Sequence, residues 1–452
     1  MVDNKFLEKE SIAKLLFKLS IPTVIAQLIN MLYNVVDRIF IGHMEDVGDL
    51  ALTGVGVCLP IIMIVSAFAC LVSSGGAPRA SIFMGKKDNE TAEKILGNCF
   101  TLQIIISVII TIILLIFNKP LLLLFGASEN TISYATSYMN IYAIGTIFVQ
   151  MTLGLNSYIT AQGFSKVSMF AVLIGAVSNI LLDPLLIFIF NMGVEGAALA
   201  TVISQAISCI FIIIFLTSKR SILKIKIKNL NINFKLLLPC LALGLAPFIM
   251  QASESIIIVC FNTSLKKYGG DIAVGAMTIL SSVMQFAMLP LQGLAQGAQP
   301  ISSYNFGAKN PQRVIKTFRL LLIVSIIYST LLYLIIMIFP KAFVSMFTNK
   351  PDLIQFTTDV IKIYCAVLFM FGIQIACQMT FVSIGNAKSS IIVAIVRKFV
   401  LLLPLIYIMP LLIEDKTIAV YTAEPVADFI AVSFTAILFA CQFKKSIKLI
   451  SE

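Results

Sequence analysis

The chain alternates long apolar blocks with short polar connections. Twelve blocks of 20 or more largely apolar residues lie near 14–42, 50–74, 95–117, 128–161, 167–190, 194–217, 236–264, 271–300, 317–339, 352–384, 389–412 and 417–441. Each is long enough to cross about 30 Å of hydrocarbon as a helix. None shows the alternation of apolar and polar positions over about ten residues that a transmembrane barrel requires. The pattern predicts an all-α polytopic membrane protein with twelve transmembrane helices.

Composition excludes the alternatives. The chain is 59% hydrophobic and 12% charged, whereas soluble domains carry about 25% charged residues. A water-soluble globule is ruled out. The net charge of +11 sits in the connections, so it reports topology and not nucleic-acid binding. One set of connections (the N-terminus, 79–94, 166, 219–235, 309–319, 388 and 444–448) holds 23 Lys and Arg, and the opposite set holds 6. Cytoplasmic loops collect Lys and Arg, so both termini are expected in the cytoplasm of a cell inner (plasma) membrane protein. The segment MVDNKFLEKESIAK has no cleavable signal pattern, so the first block is expected to stay as a spanning helix. Nine Cys without a CxxC and a single His, His43, offer no His/Cys metal constellation, and no cofactor is expected.

The two halves repeat. A shift of 222 residues takes Gly75 to Gly297, Pro78 to Pro300, Gly85 to Gly307, Lys119 to Lys341, Ile141-Tyr142 to Ile363-Tyr364 and Gly163 to Gly385. Upstream, a shift of 225 pairs Pro22 with Pro247 and Asp37 with Asn262. Six spans per unit give the halves parallel topology, related by an axis along the membrane normal. The expected organisation is a six-helix bundle over 1–218, a cytoplasmic linker over 219–235 and a second bundle over 236–452. Two equivalent bundles around a cleft suit an alternating-access carrier.

An acid at the centre of a membrane helix costs about 2.5–3.5 kcal/mol on insertion scales, so each is a functional candidate. In LINMLYNVVDRIFIG, Asn30, Tyr33, Asn34 and Asp37 recur at i, i+3, i+4 and i+7 and form one polar stripe. In VSNILLDPLLIF, Asn179 lies one turn before Asp183. Pro184 cannot donate to the carbonyl of Ile180, which leaves a free oxygen beside the carboxylate. Two acids, an amide, a hydroxyl and a loose carbonyl make an oxygen-rich, cation-seeking site, with Na⁺ at Asp37 and Asp183 as one occupant. A carboxyl withdrawn from water near another carboxyl holds its proton more tightly, which favours H⁺ as the other. The second half has Asn262 in place of Asp37 and Leu403 in place of Asp183, so the acidic site is not a packing device common to both halves. Either Glu254 or Asp428 would line the cleft and attract a cationic ligand, unless Arg397 in the eleventh span neutralises one of them as a structural pair. Met284, Gln285 and Met288 in the eighth span suit an adaptable binding wall.

YNVVDRIFIG, SSGGAPRASIFMGKKD, GLNSYITAQGFSK, NILLDP, GAALAT and QGAQPISSYNFGAKN together resemble the multidrug and toxic compound extrusion (MATE) family, with a first half like its DinF-like bacterial branch. The resemblance implies two six-helix bundles forming a V-shaped cleft, and export of cationic amphiphilic drugs in exchange for H⁺ or Na⁺. It places the coupling site at Asp37, Asn179, Asp183 and Thr201, with Asn156 and Tyr33 nearby, and a bending proline at Pro22. Glu254 resembles an acid of the NorM-like branch, but that branch's tenth-helix acid has no match in IYCAVLFMFGIQIACQMTF. The expected partners are small organic cations and the lipid bilayer, not nucleic acid, with the chain acting as a monomer. The rival reading is a flippase for a lipid-linked precursor; anionic cargo of that kind would want Arg or Lys in the cleft. HExxH and GxSxG are both absent, so an enzyme is not expected.

Overall fold

A computed structural model describes residues 5–44 and 47–451. Residues 1–4, 45, 46 and 452, with both chain ends of the expected bundles, lie outside them. All regular structure among the described residues is helical. The spanning helices are α1 (Ile12–Gly42), α2 (Gly48–Gly85), α3 (Asn89–Leu124), α4 (Ile132–Ala161), α5 (Ser165–Pro184) and α6 (Gly193–Thr217). One 74-residue helix, Phe234–Gly307, follows. At about 1.5 Å per residue it would run about 110 Å, far beyond one crossing. Gly270, at φ 66°, breaks it into α7 and α8. Then come α9 (Pro311–Ile338), α10 (Pro351–Tyr364 with Leu368–Ser383), α11 (Ala387–Leu412) and α12 (Lys416–Ser451).

Ten helices pass as membrane spans by length and hydropathy, and the bent pair of α10 makes eleven. Counting Phe234–Gly307 as two gives the twelve expected. Several helices run past the ends of their blocks, α8 to Gly307 and α12 to Ser451 among them, and two differences bear on the fold. The α2 helix runs on to Gly85 instead of ending near 74, because Ser73–Pro78 stays helical while buried among neighbouring helices. The α10 span, read as one block over 352–384, bends by 45° between Tyr364 and Leu368.

The repeat extends to backbone conformation. Lys87 and Lys309, 222 residues apart, both take left-handed φ, at 62° and 55°. Gly163 and Gly385 do the same at 88° and 78°. The next helix is capped alike in each half. Asp88 accepts from the Thr91 amide at 3.0 Å and Asn310 from the Arg313 amide at 3.2 Å. Such caps satisfy otherwise unpaired helix N–H groups.

The core has a V-shaped distribution. At the linker end one cluster contains residues of both halves, including Leu15, Leu96, Tyr158, Cys240, Ile301 and Tyr304. At the other end the cores are separate. One gathers Ile41, Val55, Tyr142 and Ala197 of the first half, the other Phe261, Leu280, Ile361 and Tyr421 of the second. Repeat-related glycines close the joined end. A Cβ on Gly85 would overlap the Tyr304 carbonyl oxygen, and one on Gly307 would overlap that of Ile82. The α1 helix is clamped to α8 across the halves: Ser20 Oγ donates to Leu294 O at 3.1 Å, Thr23 Oγ1 to Gly293 O at 2.5 Å and Gln27 Nε2 to Gln296 Oε1 at 3.1 Å. The linker lies against the first half, where Gln162 Oε1 accepts the amides of Ile222 and Leu223 at 2.8 and 2.9 Å.

Candidate functional site

The α1 helix packs directly on α5, and this brings Asp37 into electrostatic range of Asp183. Asp37 is 8% exposed; Asp183 and Asn179 are fully buried. Asn179 Nδ2 donates to Asp183 Oδ1 at 3.2 Å, as their one-turn spacing predicts. Beyond Pro184 the helix continues as a π-helical turn, Leu185–Ile189. Such turns occur mostly as single insertions inside α-helices and are frequent at functional sites.

The distinctive feature is a shortage of donors. Asp37 Oδ1, Asp183 Oδ2, Asn179 Oδ1 and Asn156 Oδ1 are all buried and accept no hydrogen bond, and neither does Gln205 Oε1 on α6. Nearly all buried polar atoms in proteins find a partner, either a protein group or an ordered water, so acceptors left open together on α1, α4, α5 and α6 suit a proton, a cation or a water. The Asn156 amide nitrogen is spent on Ser168 O at 3.4 Å. Tyr33 lies beside Asp37 and Gln205. Thr201 meets the hydroxyl of Tyr138, a buried residue that the sequence reading did not single out. The polar stripe of α1 thus splits. Asp37 turns into the first half, Tyr33 and Asn30 are half-buried, and Asn34 is exposed with its amide on Asn30 O at 2.6 Å.

Pro22 is buried in α1 within the clamp on α8, between Ser20 and Thr23. A proline leaves the carbonyl four residues earlier without its helical donor, so a bend there is cheap.

The second half is different. A π-helical turn also occurs in α11, Val396–Leu402, just before Pro404, the partner of Pro184. It carries Arg397 and Lys398, both buried. Arg397 Nε bonds Asp428 Oδ1 at 2.8 Å, and Lys398 Nζ bonds Glu254 Oε1 at 2.6 Å. Of the two options for Asp428, the structure shows the ion pair with Arg397. Glu254 is paired too, with a lysine the sequence reading passed over, so neither stands as a free acid awaiting a cationic ligand. The signal was available: two adjacent bases inside VAIVRKFVLLL require two acids. Met284 and Met288 pack half-buried against the second-half core, Met284 Sδ lies 3.9 Å from Cys365 Sγ, and Gln285 is exposed.

Comparison with known proteins gives a consistent result. The MatE family model matches residues 22–185 and 246–408, once in each half. The multidrug export protein MepA of Staphylococcus haemolyticus is 26% identical over 404 residues, 89% of this chain and 88% of MepA. A ligand-bound structure of the MATE multidrug transporter DinF-BH superposes with a TM-score of 0.88 at 34% identity, covering 96% of each chain. The outward-facing conformation of a multidrug resistance MATE family transporter has the same fold, with a TM-score of 0.92 at 22% identity over 100% of this chain and 99% of that one. With both halves matched and the fold shared end to end, the chain belongs to the MatE family, the multidrug and toxic compound extrusion transporters, and resembles its DinF-like branch.

Proposed function

We propose that the chain is a secondary antiporter of a cell's plasma membrane that exports cationic amphiphilic compounds in exchange for H⁺ or Na⁺. The observation that carries this reading is the group of orphaned acceptor oxygens on Asp37, Asn179, Asp183 and Asn156. Thr201 and Tyr33 complete its rim. Export of drugs by relatives such as MepA supports the direction of transport.

With the basic connections in the cytoplasm, the joined core faces inward and the separate cores face outward, so this is the outward-open arrangement. The proposed moving bodies are 1–218 and 236–452, joined by the linker. H⁺ or Na⁺ entering from outside neutralises Asp37 and Asp183. Neutralisation removes their mutual repulsion, and α1 shifts on α5 about the Pro22 bend. That shift narrows the cleft and displaces the bound cation outward. The bundles then rock, the glycine-tight contacts of α2 with α8 open, and the ion leaves to the cytoplasm. One inward charge contributes about 2.3 kcal/mol per 100 mV, and a pH gradient about 1.4 kcal/mol per unit. One or two ions therefore sustain a substantial drug gradient. Neutral oxygens from Asn179 and Thr201 suit Na⁺, while the buried acid pair suits H⁺; burial favours the proton.

The test is ethidium efflux from vesicles holding the purified chain, with pH and Na⁺ gradients imposed separately. Efflux driven by either gradient is expected. Movement of a pyrophosphate-linked lipid with no cation efflux would instead identify a flippase.

A further inference from the structure

The two ion pairs of the second half do not account for every buried charge there. Glu424 lies on α12 one turn before Asp428, so the two carboxyls share a helix face. It is 9% exposed and makes no ion pair or hydrogen bond among the described residues. The charged groups around it are Asp428 on its own helix, Arg397 and Lys398 on α11, and Glu254 on α7. Tyr364 and Cys365 face it from α10. Arg397 is engaged by Asp428 at 2.8 Å and Lys398 by Glu254 at 2.6 Å. Two cations therefore stand among three carboxyls. A carboxylate out of water needs a counter-charge of its own, and here both available cations are already taken.

The surplus acid can be balanced in two ways: it holds a proton, or a positive ligand sits beside it. The cluster is reachable, because the Glu254 side chain at its edge is 46% exposed. We propose that Glu424 is a second-half exchange site, where a proton and a bulky organic cation compete for one surplus carboxylate. The inference rests on the reading of the chain as a cation exporter and adds the place where cargo and proton meet. The fixed pairs matter as much as Glu424. They consume the basic charge of α11, so that the binding site keeps one uncompensated negative charge. They also hold α7, α11 and α12 together around it.

The test uses the purified full-length chain in weakly buffered detergent solution, with tetraphenylphosphonium as probe and a pH-sensitive dye as readout. The first arm starts from Asp37→Asn with Asp183→Asn, which removes the first-half acids. About one proton is expected to be released per bound cation, with binding tightening as pH rises, since linked ligands oppose one another equally. Adding Glu424→Gln should abolish both the release and the pH dependence. Adding Asp428→Asn instead should also abolish release with Glu424 still present, because the freed Arg397 then keeps Glu424 ionised. A residue that merely packed the helices would not respond to Asp428→Asn in this way. In the second arm, Glu424→Gln in the otherwise native chain should lower the proton count by about one. Release that survives Glu424→Gln in both arms overturns the proposal, as does a native count that Glu424→Gln leaves unchanged. Loss of gradient-driven efflux in the Asp37 and Asp183 variants bears on the coupling site alone and leaves this proton count intact.

Discussion

The two halves match the same family model and each carries a π-helical turn next to a proline, after Pro184 in one and before Pro404 in the other, yet they handle buried charge in opposite ways. The first half buries Asp37 and Asp183 with no ion pair among the described residues, beside side-chain amide oxygens that lack donors. The second half gives Asp428 and Glu254 each a cation, from adjacent residues of one turn. A satisfied ion pair is a brace, since breaking it is costly and nothing needs to bind. An acceptor-rich pocket without protein donors is an invitation, since it is open to an incoming proton, cation or water. The helix that carries the proline, α5 or α11, thus holds unpaired acceptors in one half and paired bases in the other, which the proposed function reads as coupling and bracing.

The largest expected effect comes from making the first half resemble the second. Asn179→Lys places an ammonium where the amide now donates to Asp183 at 3.2 Å. Both acids remain, but the counter-ion becomes permanent. Gradient-driven ethidium efflux should be lost while the chain still inserts, and a variant that pumps normally would erase the distinction between the halves.

Removing a brace should be felt as instability. Arg397→Gln leaves Asp428, whose side chain is 3% exposed, buried without a partner, at a cost of about 3–5 kcal/mol. Lys398→Gln should cost less, because Glu254 is half-exposed and can be hydrated. Asp37→Asn removes an acid that makes no ion pair among the described residues, so it should leave stability unchanged or raise it. Thermal unfolding in detergent ranks the three.

The glycine seal at the linker end offers a smaller test. Gly85→Ala or Gly307→Ala forces a methyl against a facing carbonyl, with an overpacking cost of about 1–3 kcal/mol. The joined end should then open more often, and buried Cys240 should react with a thiol reagent about tenfold faster per 1.4 kcal/mol. Unchanged labelling would mean that this seal does not hold the end closed.

The smallest effect separates the repeat-related caps. Asp88→Ala and Asn310→Ala should each cost about 1 kcal/mol. Asp88 lies outside the membrane spans, and its bonds from Thr91 hold its carboxyl below the usual range. A group lowered on folding contributes fully above its unfolded value and loses the contribution as pH falls through its folded value. The Asp88→Ala deficit should therefore shrink in acid while the Asn310→Ala deficit stays constant.

What the sequence revealed follows from what is local. The spans and the stripe from Asn30 to Asp37 are patterns within single helices, and the repeat is a match at constant spacing along the chain. Asn179 and Asp183 meet because they are one turn apart. The pairing of Lys398 with Glu254 spans 144 residues and depends on which helix meets which, so the bases in α11 were visible but their partners were not. The same holds for Tyr138 and Gln205, each brought to the acid site by helix packing. The π-helical turns at Leu185–Ile189 and Val396–Leu402 leave no periodic mark at all. Glu424 lies near the start of the 417–441 block, and only its unshared carboxyl among paired neighbours sets it apart.

The central claim is that Asp37 and Asp183 couple ion flow to export without being needed merely to hold the chain together. Ethidium movement should be measured in vesicles containing Asp37→Asn or Asp183→Asn, first as uphill efflux under an imposed pH or Na⁺ gradient, then as exchange of labelled for unlabelled dye with no gradient. The expected result is lost uphill efflux with exchange retained. Uphill efflux at the native rate in both variants would contradict the account.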